Sequence, residues 1–232
     1  MGGTPAEAGR KRKHIVAPTM VEIVTNELRE RIMSADLAPG EHLIEERFAE
    51  EYGVSRPPIR EALRRLEQFG LVIGAPRRGY TVVAVSPKDL REIESLRHAL
   101  ERFALEEAMP VQDPEQFTAM SSALEQIAAA GEDEAKMLDA NSAFHVALVD
   151  LARHGRLSAT YRDIRVQVEL CMAQNLRLRK ARYGAGEDVY ERHLSLFDAI
   201  RSGDLEFALS SLANHGSLTV LDQVIEQEAG VE

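Results

Sequence analysis

The sequence predicts a mainly α protein in two parts, an N-terminal winged helix-turn-helix with a small β-wing and a C-terminal all-α helical bundle. Three observations carry this. Pro39-Gly40, Gly53 and Gly70 punctuate the first seventy residues into short helical stretches. A run of β-forming residues on both sides of a basic turn follows at residues 71–83. After Ser86-Pro87 come five or six long amphipathic stretches with no strand pattern. At 232 residues, two domains are the natural expectation.

Residues 1–17 carry the basic run Arg10-Lys11-Arg12-Lys13 and no apolar periodicity, so they read as a disordered arm. A solubilising tail is its plainer reading, and a DNA contact the alternative. The first domain is placed at 18–84. From Thr19, the residues Val21, Ile23, Val24, Leu28, Ile32 and Met33 fit one broad helical face that ends before the turn at Leu37-Gly40. A short helix over Ile44–Tyr52 stops at Gly53, and Ser55 is positioned to cap the next. That second helix, Arg56–Phe69, turns Ile59, Leu63 and Leu66 to one side and Arg56, Arg60 and Arg64 to another. The arms Leu71–Gly74 and Tyr80–Val83 around Ala75–Gly79 read as a two-stranded wing. The second domain, 85–232, is read as helices near 87–109, 114–130, 133–153, 157–181, 187–202 and 205–228.

The chain carries a net charge of −10, but the two parts differ. Residues 1–84 hold 13 Lys+Arg against 12 Asp+Glu, and residues 85–232 hold 15 against 26, giving +1 and −11. Within Val54–Tyr80 six Arg face two Glu, a local excess suited to a phosphate-bearing partner. No apolar run approaches bilayer length, the N-terminus lacks a signal-peptide core, and Cys171 is the only cysteine, which rules out an intrachain disulfide. A cytoplasmic location is expected.

The chain of motifs Leu37-Ala38-Pro39-Gly40-Glu41, Phe48–Glu67 with Gly53-Val54-Ser55-Arg56 and Ile59-Arg60-Glu61-Ala62-Leu63, Gly70-Leu71-Val72 and Arg78-Gly79-Tyr80 resembles the GntR family of bacterial regulators. The helical remainder resembles the FadR-type effector domain of that family. The resemblance implies a cytoplasmic homodimer that is not an enzyme. It would bind double-stranded operator DNA, most simply as a repressor, under control of a small-molecule effector. It also implies that Arg56 and Arg60 meet DNA from the recognition helix, with Arg64 on the same face, while Gly79 lets the wing's backbone approach the minor groove. Arginine forks suit phosphate and the O6/N7 edge of guanine, which agrees. The sequence departs from the family at Glu46, where an arginine that contacts the DNA backbone is common.

In the second domain, Asn141 lies four residues before His145 and so shares its helical face, while His193 and His215 fall on two later helices. Helical bundles build metal sites in this way. The FadR-type pattern is an Asp four residues before a His, then two further histidines, holding a divalent ion such as zinc or nickel; here Asn141 replaces the Asp. An open position on such an ion would suit a carboxylate effector. Arg97 could clamp that carboxylate or, alternatively, be an exposed helix arginine paired with Glu94 or Glu101. Two other function classes compete. A metal-dependent hydrolase shares the three-histidine layout but lacks a His-Glu-x-x-His helix, and an effector-free architectural DNA binder would need no pocket.

Overall fold

A computed structural model of the chain describes residues 17–75, 78–183 and 189–215. Residues 1–16 of the arm expected over 1–17, residues 76–77 of the expected wing turn, the start of the helix expected at 187–202 and the part of the expected 205–228 helix beyond residue 215 lie outside them.

The first helix, α1 (Met20–Met33), starts at Thr19 in a capping box: the Thr19 N–H donates to the Glu22 carboxylate at 2.7 Å and the Glu22 N–H donates to Thr19 Oγ1 at 3.3 Å. Its inner face is Val24, Leu28 and Ile32. Ile23, expected inside, is 48% exposed, because it sits about 100° round the helix from Val24. Helices α2 (Glu45–Glu51) and α3 (Arg56–Gln68) flank a tight turn in which Gly53 adopts φ +64°, a left-handed conformation that glycine takes without Cβ strain. Ser55 occupies the N-cap position of α3, yet its side chain makes no capping hydrogen bond. The second and third residues of α3 are Pro57 and Pro58, which lack the N–H groups that a cap would accept from. Ile59, Leu63 and Leu66 are fully buried against α1.

The wing has three strands rather than two. β1 (His42–Leu43) pairs with one edge of β3 (Gly79–Val82), and β2 (Val72–Ala75) pairs antiparallel with the other, Val72 opposite Val82 and Ala75 opposite Gly79. Two residues are too few to show a strand's alternation in sequence. The Gly74 N–H donates to Glu67 Oε1 at 2.9 Å, which ties the wing to α3; a Cβ at Gly74 would lie 2.6 Å from that same oxygen.

The second part contains α4 (Pro87–Ala108), α5 (Thr118–Ala130), α6 (Glu134–Asp150), α7 (Gly155–Tyr183), α8 (Val189–Arg201) and α9 (Leu205–His215) among the described residues. Ser86 and Asp89 cap α4 reciprocally. The stretch expected to begin α5 at Pro114 is instead a 3-10 turn, Pro114–Phe117. Arg153 takes the left-handed turn after α6 at φ +49°, whereas Gly155, expected as the break, opens α7. Leu105, Met120, Phe144, Leu148 and Leu196 are fully buried in one core. Val166 and Leu170 of α7 pack instead into the core of the winged unit, so one helix serves both. No helix among the described residues is long and apolar enough to cross a membrane.

The missing cap has a measurable consequence. Thr19→Ala should cost about 1 kcal/mol of unfolding free energy, a typical loss for a working N-cap, while Ser55→Ala should stay within about 0.5 kcal/mol of wild type. Chemical denaturation of both variants checks this, and an equal loss in the two would contradict the assignment.

Candidate functional site

Two places concentrate unspent chemistry, the outer face of α3 and the interior of the helical bundle.

Because the buried stripe of α3 is fixed by Ile59, Leu63 and Leu66, its other side must face out. The side chains of Arg56, Arg60 and Arg64 are 55, 48 and 61% exposed there. They are not free. Across the helix-turn-helix, Glu45 in the first turn of α2 receives Arg60 through both donors of one edge, Nε to Oε1 at 3.0 Å and Nη2 to Oε2 at 2.8 Å. Arg56 stands 3.8 Å from Glu45 and 4.0 Å from Glu46, and Arg64 3.9 Å from Glu61. The hydrogen bond from Arg60 is the chief reason that the Glu45 carboxyl is held below its usual range. Gly79 is exposed at the start of β3 with φ +78°, and a Cβ there would meet the His42 ring at 3.2 Å. The local excess of positive charge is therefore partly offset by acids from α2, which a count along the sequence cannot reveal.

In the bundle, α6, α8 and α9 bring His145, His193 and His215 together, exposed by only 2, 1 and 8%. One ring nitrogen from each lies within 4.8 Å of the others. The ring centroids are 5.5 Å apart for His145 and His193, 5.1 Å for His145 and His215, and 4.4 Å for His193 and His215. Two of the rings are held from outside at Nδ1. His193 Nδ1 is 2.7 Å from the Val189 carbonyl and His215 Nδ1 is 3.3 Å from the Arg192 carbonyl, so each neutral ring is assigned an Nδ1–H donor and an Nε2 lone pair. His145 Nδ1 lies 3.0 Å from Glu101 Oε1, off the line of a good hydrogen bond. Inside, His145 Nε2, His193 Nε2 and Asn141 Oδ1 are buried without a hydrogen-bond partner. Buried polar atoms are rarely left so; the histidine nitrogens belong to one cluster and Asn141 stands one turn before His145 on α6, a donor set that would suit a cation.

Burial pushes His193 down to about 3, with His145 the next contributor, and pushes His215 lower still. Neutral imidazoles are what a divalent ion requires. Glu101, fully buried on α4, would be raised by burial, but Arg97 and then His145 hold it down at about 2. Tyr161 of α7 donates to Glu101 Oε1 at 2.7 Å. Arg97 is itself only 5% exposed, its Nε 3.3 Å from Glu101 and its Nη2 3.5 Å from Glu94. It is thus paired as its plainer reading had it, but inside rather than on the surface, and its Nε lacks a well-aligned hydrogen bond. Sequence reasoning missed Glu45 and Tyr161, and named Glu101 only as a surface partner of Arg97. The four-residue spacing of Arg97 and Glu101 gave that pairing, but nothing local signalled that it is buried beside His145.

Comparison with known proteins gives two family matches. Residues 21–82 match bacterial regulatory proteins of the gntR family, and residues 92–217 match the FCD domain. The uncharacterized HTH-type transcriptional regulator YdhC of Bacillus subtilis (strain 168) is 28% identical over 82% of this chain and 84% of its own length. The gluconate operon transcriptional repressor of Bacillus licheniformis is 29% identical over 82 and 79%. Among solved structures, E. coli McbR/YncC superposes with a TM-score of 0.69 at 25% identity, covering 92% of this chain and 100% of that one.

The neutral histidines set a pH dependence. In the fold His193 resists protonation down to about 3, whereas once unfolded it takes a proton near its ordinary 6.5, as does His215. The unfolded chain therefore binds more protons below that value. Stability is complete above about pH 6.5 and falls as pH drops, by up to about 1.4 kcal/mol per pH unit for each histidine. Chelator-treated protein should melt at progressively lower temperature from pH 7 to 5. A flat profile would contradict the buried, neutral assignment.

Proposed function

The chain belongs to the gntR family of bacterial regulatory proteins and carries an FCD domain behind its DNA-binding head, and from that premise we propose a homodimeric repressor whose operator binding is governed by an organic acid held at a metal ion. That it is a DNA-binding transcriptional regulator and not an enzyme follows from the family. The finer reading is carried by one observation, the convergence of three buried imidazoles, to which the unsatisfied Asn141 oxygen one helical turn before His145 would add a fourth ligand.

Asn141, His145, His193 and His215 would hold the ion, a divalent one such as zinc or nickel given a set of three nitrogens and an amide oxygen. When bound, the ion supplies a Lewis-acid position for a carboxylate oxygen. The chain's own residues orient the set: the Val189 and Arg192 carbonyls steady His193 and His215 at Nδ1, Glu101 stands 3.0 Å from His145 Nδ1, and Phe144, its ring 4.9 Å from that of His193, packs against the cluster. In this reading Arg97 stays with Glu101 and Glu94, and the acid is drawn to the ion. Dimer formation is supported by the family and by Leu96 and Phe103, one heptad apart on α4 and exposed by 44 and 40%. On DNA, Arg56 and Arg60 would read base edges, Arg64 would meet phosphate, and the wing would bring Gly79 to the minor groove.

Each layer has its own test. Elemental analysis should find one divalent ion per chain, lost on replacing any of the three histidines. Asn141→Asp, which adds a formal charge at ligand distance, should raise both affinity and the metal-induced gain in melting temperature. No metal in the wild type, and none gained by the aspartate variant in saturating zinc or nickel, would end this part of the proposal. Arg56→Ala and Arg60→Ala should each lose about 1–3 kcal/mol of operator binding with unchanged circular dichroism. Footprinting should show two half-sites about one helical turn apart, and a monomer protecting one half-site would contradict the dimer.

A further inference from the structure

We infer that Glu45 is a positioning residue for DNA readout: it grips the Nε/Nη2 edge of Arg60 and leaves the Nη1/Nη2 end of that guanidinium as the only paired-donor edge open to a guanine. This rests on the reading of Arg60 as a base-contacting residue and adds what that reading lacks, a reason for one orientation of a long, exposed side chain.

The geometry is that of a fork against a fork. Arg60 Nε meets Glu45 Oε1 at 3.0 Å and Nη2 meets Oε2 at 2.8 Å, so two of its five N–H bonds are committed to one carboxylate. The remaining Nη2–H and the two Nη1–H groups project away from it. Parallel donors at the end of a guanidinium match the O6 and N7 acceptors of guanine in the major groove, and no other base offers two acceptors there. The carboxylate is itself fixed. Glu45 lies in the first turn of α2, its side chain only 17% exposed against 48% for Arg60, and Arg56 approaches it within 3.8 Å. An acid on a DNA-facing surface repels phosphate, so its presence between two reading arginines has to be offset, and orienting one of them does so. An unrestrained arginine could satisfy a phosphate, a thymine O4 or a guanine by turning about its several torsions; the buttress removes that freedom before DNA arrives.

The experiment uses the full chain and a pool of random-sequence duplex DNA. In vitro selection with the wild type should yield half-sites containing a guanine whose replacement by adenine weakens binding roughly tenfold. Arg60→Ala should abolish that preference. Glu45→Ala should reduce it to less than about threefold while affinity for non-specific duplex is kept or raised, because a negative charge has been removed. Glu45→Gln, with one acceptor oxygen in place of two, should fall between. The double variant should discriminate no worse than Arg60→Ala alone, and 7-deazaguanine at that position should bring wild type and Glu45→Ala together. Thermal melts confirm that the variants fold. If Arg60→Ala loses the guanine preference but Glu45→Ala keeps it in full, the buttress is refuted and the role of Arg60 stands. A uniform gain in affinity for all DNA with unchanged preference likewise refutes it, since Glu45 would then act only as an internal competitor for Arg60. If Arg60→Ala keeps the wild-type preference, the reading of Arg60 fails, and the buttress with it.

Discussion

A single buried carboxylate, Glu169, governs how the two parts of the chain meet. It is 2% exposed and receives Arg29 from α1, Ser142 from α6 at 2.6 Å and Arg165 from its own helix at 3.1 Å. A charge so deeply placed is tolerable only while its partners stay in position, and removing one partner of such a set is far more damaging than replacing the whole set with apolar groups. The helices that supply those partners are the ones that matter most. α1 packs on α3, and α6 carries Ser142 next to Asn141 and one turn before His145. Around Glu169 the helix α7 sends Val166 and Leu170 into the first core, and Gln167 lies so close to Gly70 that a Cβ there would stand 2.7 Å from its amide nitrogen. Any displacement of α6 at the histidine cluster must be accommodated by this carboxylate or passed on to α1. The fold thus links α6, which carries His145, to α1, which packs on α3, through one buried carboxylate.

What the sequence discloses and what it conceals divides along separation in the chain. The inner stripe of α3, the left-handed glycines at 53 and 70, and the helical run after Ser86-Pro87 are all visible because each depends on residues a few positions apart. The histidine cluster is visible only in part. Asn141 and His145 declare themselves by helical spacing, but nothing local unites them with His193 and His215, and only the family resemblance did so. Contacts between distant elements leave no local trace: Arg60 with Glu45 spans fifteen residues, Tyr161 with Glu101 sixty, and Arg29 with Glu169 one hundred and forty. Local rules also mislead where a neighbour cancels them. Ser55 has the identity and backbone of a cap, and two prolines remove what it would cap.

The replacement of an expected Asp by Asn141 bears on charge in the bundle. The second part is strongly acidic, yet a set of three imidazoles and an amide brings no negative charge to a cation. Glu101 lies beside His145 and is held ionised by Arg97 and His145 despite complete burial. Because it abuts His145 at Nδ1, its charge would be felt at Nε2 through the ring, in the arrangement of carboxylate, histidine and metal that raises the basicity of a ligand. Arg97 on its other side works against this, since a positive charge beside Glu101 cancels part of that field. The balance between Arg97 and Glu101, as much as the identity of residue 141, therefore sets how firmly a cation would be held. If Asn141, His145, His193 and His215 hold an ion as proposed, a carboxylate one residue removed and partly neutralised would support it less than an aspartate ligand would, and an acid bound there would have to supply a larger share of the negative charge that the ion requires.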